Sequence, residues 1–261
     1  MHTLDFITEL FSTIDDTLQD VPKHSQAKLY PSEVVTIAIL FALKGGHSRA
    51  FYRWLKNNWQ AEFPKLPHRS RLFRLFVSHK RLTARFLAEP TLLGVIDSYG
   101  IELIHPIREG RSEKQIGKKG LSNKRWIVGG KLCLLLNKFG LVVDWDFGTV
   151  NQYDADFQPL IEKVIDHMIV LADSHFHSAE GDPPNLKICA RGTWNDRMVI
   201  ETVLSMLTTV SQFKKVFHRT WSQFEARLAF MMATFNILVQ WHGLFPDETG
   251  FVPLSIAEFS L

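Results

Sequence analysis

The pattern of apolar and polar positions changes once along the chain, near residue 88. Before that point, apolar residues recur at helical spacing in four segments, 5–18, 33–43, 49–58 and 70–87, which Pro and Gly residues separate. These segments predict an N-terminal all-helical domain over residues 1–88.

From about residue 90 the pattern predicts strands. Two apolar runs without polar alternation, 92–96 and 168–172, are typical of strands buried on both faces. Between them, segments 126–136 and 141–147 flank a turn and predict a hairpin. A helix at 154–165, a strand at 186–190 and a helix at 194–207 complete the order. We expect a mixed α/β domain over residues 89–245, with a sheet flanked by helices, and a tail over residues 246–261.

Composition indicates the cellular compartment in which the protein is expected. Cys133 and Cys189 lie in apolar surroundings, which favours reduced core residues over a disulfide. The first residues carry acids early and lack the apolar core of a signal peptide. Of the longer apolar runs, 34–43 is about half a membrane span and 228–239 contains Thr234 and Asn236, so both predict buried helices. The expectation is a cytoplasmic protein without a membrane segment.

Charge is concentrated in two basic stretches, although the net charge is only +3. Residues 65–85 hold seven Lys/Arg and no acid, and residues 108–131 hold eight against two acids. Such stretches either follow a phosphate backbone or form a solvated face. The segment from residue 70 likewise suits a helix laid against DNA or an ordinary surface helix. The candidate DNA contacts in these stretches are Arg71, Arg74, Lys118, Lys119, Lys124 and Arg125.

Three carboxylates form the candidate chemistry. Asp97 and Asp173 close the two apolar runs, and Glu201 lies on the helix that a capping-box sequence at 193–196 begins. If they meet at one sheet edge, their repulsion is tolerable only with a cation among them, and Mg²⁺ suits an all-oxygen site. Two such ions about 4 Å apart can cleave or join a phosphodiester. The hypothesis requires the three acids to lie within a few ångströms; a separation above about 10 Å excludes shared ions.

At these residues the chain resembles the DDE-type transposases of bacterial insertion sequences, whose catalytic core has a ribonuclease H-like fold. The resemblance covers roughly residues 90–242. The matching pieces are Val95-Ile96-Asp97-Ser98, Thr149-Val150-Asn151 with Asp154-Ala155-Asp156, the strand ending in Asp173, Arg197 with Ile200-Glu201-Thr202-Val203, and His218-Arg219.

The resemblance implies metal-dependent hydrolysis at element ends, followed by strand transfer into target DNA. Asp97, Asp173 and Glu201 would be the catalytic residues and the ligands of two Mg²⁺ ions, for which Mn²⁺ can substitute. The partners implied are double-stranded DNA, as terminal inverted repeats and target, and a second copy of the chain on that DNA. The protein would then act at the bacterial nucleoid. Further candidate phosphate contacts are Arg191, Arg197, His218 and Arg219.

The chain also departs from the family pattern. Trp194 stands where many relatives have Tyr, and Leu207 and Thr208 stand where Lys is expected. Relatives also often have Gly and Lys beside the second acid, where this chain has Ala172-Asp173-Ser174-His175. Two alternatives therefore stay open: a ribonuclease H-like nuclease or resolvase, and an inactive transposase-derived DNA-binding protein. Other polar residues near the acids are interpreted as structural, with Asp154 and Asp156 as helix caps. These are Asp144, Asp146, Asp154, Asp156, His175 and His177, although either histidine could also contact a phosphate or transfer a proton.

Overall fold

A computed structural model describes residues 3–113, 115–122, 124–189, 197–211, 220–241 and 243. Contacts divide this part of the chain into two compact units. The first holds the chain up to Phe86 and the segment Thr209–Thr234, and the second holds Leu87–Thr208 and continues from Phe235. The domain limits predicted from the sequence, at residues 88 and 245, stay predictions.

The described elements of the first unit are helical. They are α1 (Thr3–Thr17), α2 (Pro31–Lys44), α3 (Ser48–Asn58), α4 (Arg69–His79), a 3₁₀ helix (Lys80–Phe86) and the first part of α7 (Trp221–Trp241), up to Thr234. Helix α2 is buried from Pro31 to Leu43 and contacts both α1 and α4. Aromatic rings fill this core, with Phe41 and Phe51 at a centroid distance of 4.9 Å and Phe76 and Phe230 at 6.0 Å. Helices thus lie at all four predicted segments.

The second unit is built on one mixed sheet. Its strands are β1 (Leu93–Ile104), β2 (Lys118–Ser122), β3 (Arg125–Asn137), β4 (Val142–Thr149), β5 (Ile169–Ala172) and β6 (Leu186–Ile188). Strand β3 pairs antiparallel with β1 on one side and with β2 and β4 on the other, while β5 is parallel to both β1 and β6. Helices α5 (Gln158–Glu162) and α6 (Arg197–Thr209) belong to this unit. The prediction of a mixed α/β arrangement is confirmed.

One face of the sheet forms a hydrophobic core with the segment that precedes β5. Ile96, Cys133 and Leu135 are fully buried there against Leu160 and Ile161. Burial of this kind stabilises the fold by about 1.5–3 kcal/mol for each large side chain. The core fixes α5 over β1 and β3, and the chain leaving α5 enters β5 beside β1.

The β3–β4 hairpin turns on residues that suit a tight reversal. Gly140 has a φ of 78°, a conformation that costs glycine little. The Asn137 side chain accepts hydrogen bonds from the backbone amides of Phe139 (3.0 Å) and Leu141 (3.1 Å). The predicted hairpin is therefore confirmed, and its first strand, β3, also pairs with β1 and β2.

Three predicted elements differ in the structure. Strand β1 does not end at Asp97 but continues to Ile104, because β3 is long enough to pair with it on to Val128. Residues 118–122, which belong to the second basic stretch and which the sequence pattern did not assign to a strand, form β2. The helix predicted at 154–165 is a 3₁₀ helix (Asp154–Phe157) followed by the short α5, whose early Pro159 is tolerated in a first turn.

Of the helices described, none by itself combines the length and apolar content that a membrane crossing needs. Taken together, α2 and α3 do by length and composition, but they are bent by 117° at their junction.

Candidate metal centre

Asp97 and Asp173 lie at matching levels on neighbouring parallel strands. The strand register pairs Leu93 with Ile169 and Val95 with Leu171, a constant offset of 76 residues. Continued for two positions, the same offset sets Asp97 beside Asp173, which directly follows the last residue of β5. Adjacent strands lie about 4.8 Å apart, so the backbone brings the two predicted acids to one region of the sheet.

Asp154 is held in the same region by a lysine and a serine. Its Oδ1 accepts hydrogen bonds from Ser98 Oγ (2.6 Å) and from Lys131 Nζ (2.8 Å). Lys131 also donates to the backbone carbonyl of Gln152 at 2.6 Å. The side chains of Lys131 and Asp154 are only 14% and 16% exposed. Ser98 follows Asp97 along β1, so Asp154 is tied to the strand that carries the first predicted acid.

Asp173 organises the turn that follows β5. Its Oδ1 accepts the backbone amide of His175 at 2.9 Å, and its Oδ2 lies 3.1 Å from His175 Nδ1. The His175 side chain is 75% exposed, whereas that of Asp173 is 23% exposed. The acid is thus fixed by the backbone, and the imidazole beside it faces solvent.

The structure brings Asp154, Asp173 and His175 into one group. One potential ligand atom from each lies within 4.8 Å of the other two, and within the described ranges it is the one group of three or more such residues at this spacing. Two carboxylates this close repel each other, and the Lys131 ammonium offsets part of the charge. The negative charge of the two carboxylates is therefore only partly neutralised on the side where His175 is exposed.

The pKa of the Cys133 thiol reflects the negative charge of this region. The pKa of its buried thiol is raised well above the ordinary value of 9.0, first by burial and then by the charges of Asp154, Asp97 and Asp146, while Lys131 opposes the shift. Asp97 therefore contributes to the same local field as Asp154, although it is not a member of the group of three.

The donor set fits a single divalent ion. Two carboxylates and one imidazole suit Mn²⁺ or a similar transition ion, whereas Mg²⁺ prefers oxygen ligands throughout. Lys131 and Ser98 already hold one Asp154 oxygen, so the atoms left for an ion are its second oxygen, an Asp173 oxygen and an imidazole nitrogen. The pair of Mg²⁺ ions inferred from the resemblance stays a prediction.

Glu201 is not a member of the group formed by Asp154, Asp173 and His175, and its surroundings are different. It is exposed on α6, one residue after the buried Ile200 and two before the buried Val203. The predicted capping box at 193–196 lies outside the described residues. Convergence of Glu201 with Asp97 and Asp173 stays a prediction, because Glu201 is not a member of the group of three.

His177 has a local structural role. Its Nδ1 lies 2.8 Å from Asp182 Oδ2, and the Ser178 amide donates to the same carboxylate at 2.9 Å. These contacts hold the pKa of Asp182 below its usual value, with the Ser178 amide as the larger cause and His177 next. The structural interpretation therefore holds for His177, whereas His175 stands beside the acids.

The predicted DNA contacts have different environments. Arg71 and Arg74 are exposed on α4, and Lys118 and Lys124 are exposed at β2 and in the turn that follows it. Lys119 and Arg125 instead form ion pairs, with Glu109 at 3.4 Å and Glu102 at 3.1 Å. Exposed pairs of this kind contribute little to stability and can exchange for phosphates. Arg191, His218 and Arg219 lie outside the described residues, and Arg197 is described only as the first residue of α6.

Asp154 is the residue that the pattern of the sequence did not assign to the site. Asp154 does stand in the first turn of a helix, as interpreted from the sequence, but its carboxylate also binds Ser98 and Lys131. Asp156 is the capping residue, since its Oδ2 accepts the amide of Tyr153 at 3.2 Å. The sequence did offer one signal for Asp154. It follows β4 closely, and its segment is one of those on which the resemblance to the transposases rests.

Comparison with known proteins adds no identification. No protein-family model matches the chain, and no curated protein is significantly similar to it.

Proposed function

We propose that this protein is a DNA transposase of the DDE type, which hydrolyses the ends of its element and transfers the freed strands into target DNA. The observation that carries the proposal is the parallel register of β1 and β5, which, continued for two positions, brings Asp97 level with Asp173, together with the closeness of Asp154 to Asp173. The strand order adds support: antiparallel β1, β3 and β4 precede a helix and then β5, parallel to β1. This is the order expected of a ribonuclease H-like core.

The residues of the site can act on a phosphodiester in distinct ways. Divalent ions, when bound, would activate a water molecule and neutralise the charge that develops on phosphorus. Asp173 and Asp154 would hold an ion, and Lys131 fixes the position of Asp154. His175 is exposed enough to contact the scissile phosphate or to accept a proton at its imidazole. Arg and Lys side chains of the two basic stretches would hold the flanking DNA.

DNA that carries both ends of the element tests the proposal. Purified protein should nick the ends and then join them to a target plasmid only when Mg²⁺ or Mn²⁺ is present. Asp97→Asn and Asp173→Asn should each reduce both products by about 100-fold or more, because each removes an anionic ligand. The measurement is quantification of nicked and joined DNA on denaturing gels.

Asp166→Asn is the matched control, since Asp166 is exposed in the same unit and lies outside the site. It should leave both products at the level of the unmodified protein. Equal cleavage by Asp97→Asn and the unmodified protein would show the proposal to be wrong. Nicking without joined product would indicate a nuclease or resolvase instead.

A metal-independent DNA-binding protein is the second candidate. The observation in its favour is that Asp154 already has Lys131 and Ser98 as partners, and Asp173 has His175. Acids neutralised by internal donors need no ion for stability. Tight binding to the element ends in a chelator, together with no cleavage by any divalent ion, would favour this candidate over the transposase.

A further inference from the structure

An open cavity in the first unit has an unusually basic lining. It has a volume of about 720 Å³ and is lined by His47, Ser48, Arg49, Ala50, Arg53 and Arg69. Arg49 and Arg53 lie one turn apart on α3, and Arg69 is the first residue of α4. Two helices thus direct three guanidinium groups toward one concave surface that contains no acid.

The three arginines have no counterion in the part of the chain that the structure describes. Their side chains form no ion pair, hydrogen bond or ring contact with the residues that the structure describes. The sequence supplies little compensation, because residues 45–88 hold ten Lys/Arg and a single acid, Glu62. Three like charges around one cavity repel each other, so an anion placed among them would be strongly favoured.

The positions of the arginines also oppose helix stability. Helix N-termini carry a partial positive charge and favour acids, and a cation there is unfavourable by about 0.3–1 kcal/mol. Neither α3 nor α4 has an acid in its first turn, where Arg49 and Arg69 stand instead. Both helices are 11 residues long, so their dipoles are developed. A bound anion would convert each unfavourable arrangement into a favourable one.

We infer that this cavity binds the phosphate backbone of double-stranded DNA. The inference rests on the proposed function for the nature of the ligand, and it assigns the contact to Arg49, Arg53 and Arg69. Each arginine guanidinium can donate two parallel hydrogen bonds to the oxygens of a phosphate group. Three arginines on one surface therefore suit a ligand that carries several phosphates. Exposed Arg71 and Arg74 continue the basic character along α4.

The lining favours a nucleic acid over an acidic peptide. Protein partners are normally anchored by apolar or aromatic side chains in a pocket. Within this lining Ala50 is the one apolar residue, and the others are basic or hydroxyl-bearing. A ligand held by charge alone must present several anionic groups at once, as a phosphodiester backbone does.

The experiment compares two charge-matched triple variants of the full chain. Arg49→Gln/Arg53→Gln/Arg69→Gln removes the cavity charges. Lys56→Gln/Lys65→Gln/Arg81→Gln removes three exposed charges of the segment 45–88 that lie outside the cavity. Binding of a labelled DNA duplex is measured by fluorescence anisotropy over a range of salt concentrations, in EDTA so that no metal chemistry contributes.

The cavity variant should bind on the order of 100-fold more weakly, and its salt dependence should be shallower by about two to three phosphate contacts. The matched variant should lose less than about threefold. Arg→Lys at the three cavity positions should recover part of the affinity, since charge is kept but the fork is lost. Circular dichroism establishes that all variants remain helical.

Several outcomes would overturn the inference. Equal losses in the two variants would mean that only bulk charge matters, and unchanged binding by the cavity variant would exclude the site. Full competition by inorganic phosphate would identify a site for small anions, and equal binding of polyglutamate would identify a generic polyanion surface. If the cavity variant no longer binds DNA and the unmodified protein never cleaves it, the inference about the cavity stands and the transposase proposal fails. If the unmodified protein cleaves DNA and the cavity variant binds DNA normally, the transposase proposal stands and the inference about the cavity fails.

Discussion

At the residue scale, Cys133 connects the hydrophobic core to the acids. It is fully buried in β3, and its pKa is raised by burial and by three neighbouring carboxylates. A thiol in such surroundings stays protonated and is a poor nucleophile. Cys189 is only partly buried, so the two cysteines should differ in reactivity.

We expect the free energy of unfolding to fall as the pH rises above 9.0, the ordinary value of the Cys133 thiol. In that range the unfolded chain releases the thiol proton and the folded chain retains it, so the loss approaches about 1.4 kcal/mol per pH unit. The measurement is urea unfolding at several pH values. The difference in pH dependence between the unmodified protein and Cys133→Ala isolates the thiol, and parallel curves would contradict the prediction. Cys189→Ala, at the partly buried cysteine, is the control for removal of a thiol.

At the element scale, α7 and β4 meet through one buried amide. Asn236 donates from Nδ2 to the Val142 carbonyl at 2.8 Å and accepts the Val142 amide at 2.9 Å. It therefore bonds this backbone as a neighbouring strand would. The contact lies where the β3–β4 register shifts between Leu135 and Leu136.

Asn236→Leu should lower the free energy of unfolding by about 1–3 kcal/mol, because it leaves the buried Val142 amide without its partner, whereas the Val142 carbonyl still accepts the Ala88 amide at 2.9 Å. Gln240→Leu on the same helix is the control, since Gln240 is exposed, and it should change stability by less than about 0.5 kcal/mol. Chemical unfolding of both variants provides the values. Similar effects in the two would mean that the amide contributes nothing specific.

Elements with clear periodicity could be predicted from the sequence, and tertiary pairing decided the rest. The segments of α1 to α4 and the β3–β4 hairpin follow from local spacing and turn residues. The end of β1 does not, because an acid at position 97 interrupts the apolar run while the ladder with β3 continues beyond it. Strand β2 is basic and exposed at most positions, so only its pairing with β3 makes it a strand.

The site could be predicted only in part for the same reason. Asp173 could be predicted as a site residue because it comes directly after a buried strand. Asp154 joins it through the fold, since 19 residues separate the two and the β1 residue Ser98 holds Asp154 in place. Sequence spacing carries no signal for such a contact, because it depends on the parallel pairing of β1 and β5.

At the scale of the whole molecule, charge is unevenly divided. Residues 45–88 carry ten Lys/Arg against one acid, while the chain as a whole has a net charge of only +3. The rest of the chain is therefore net acidic and includes the acids of the candidate metal centre. On the proposed function, the segment 45–88 would bind DNA, whereas the rest of the chain would hold the ion and, through its basic stretch at 108–131, part of the DNA as well.

Binding of an ion should be detectable in the stability of the entire chain. We expect Mn²⁺ at 100 times its dissociation constant to raise the free energy of unfolding by about 2.7 kcal/mol, because the folded state alone presents the assembled ligands. Thermal unfolding with and without Mn²⁺ measures this as a higher midpoint. Asp173→Asn should abolish the increase and Asp166→Asn should retain it; an equal increase in both variants would indicate binding elsewhere.

The two walls of the metal centre differ in conformational freedom. Asp97 and Ser98 belong to a long strand paired with β3, so their backbone has already lost its entropy on folding. His175 follows β5 in a short 3₁₀ turn, and although its Nδ1 lies 3.1 Å from Asp173 Oδ2, its side chain is largely in solvent and less confined than the strand. A ligand that engages the strand side alone would therefore bind without further ordering, whereas one that recruits the imidazole would have to replace the contact with Asp173 and fix the ring, at an entropic cost that rises with temperature.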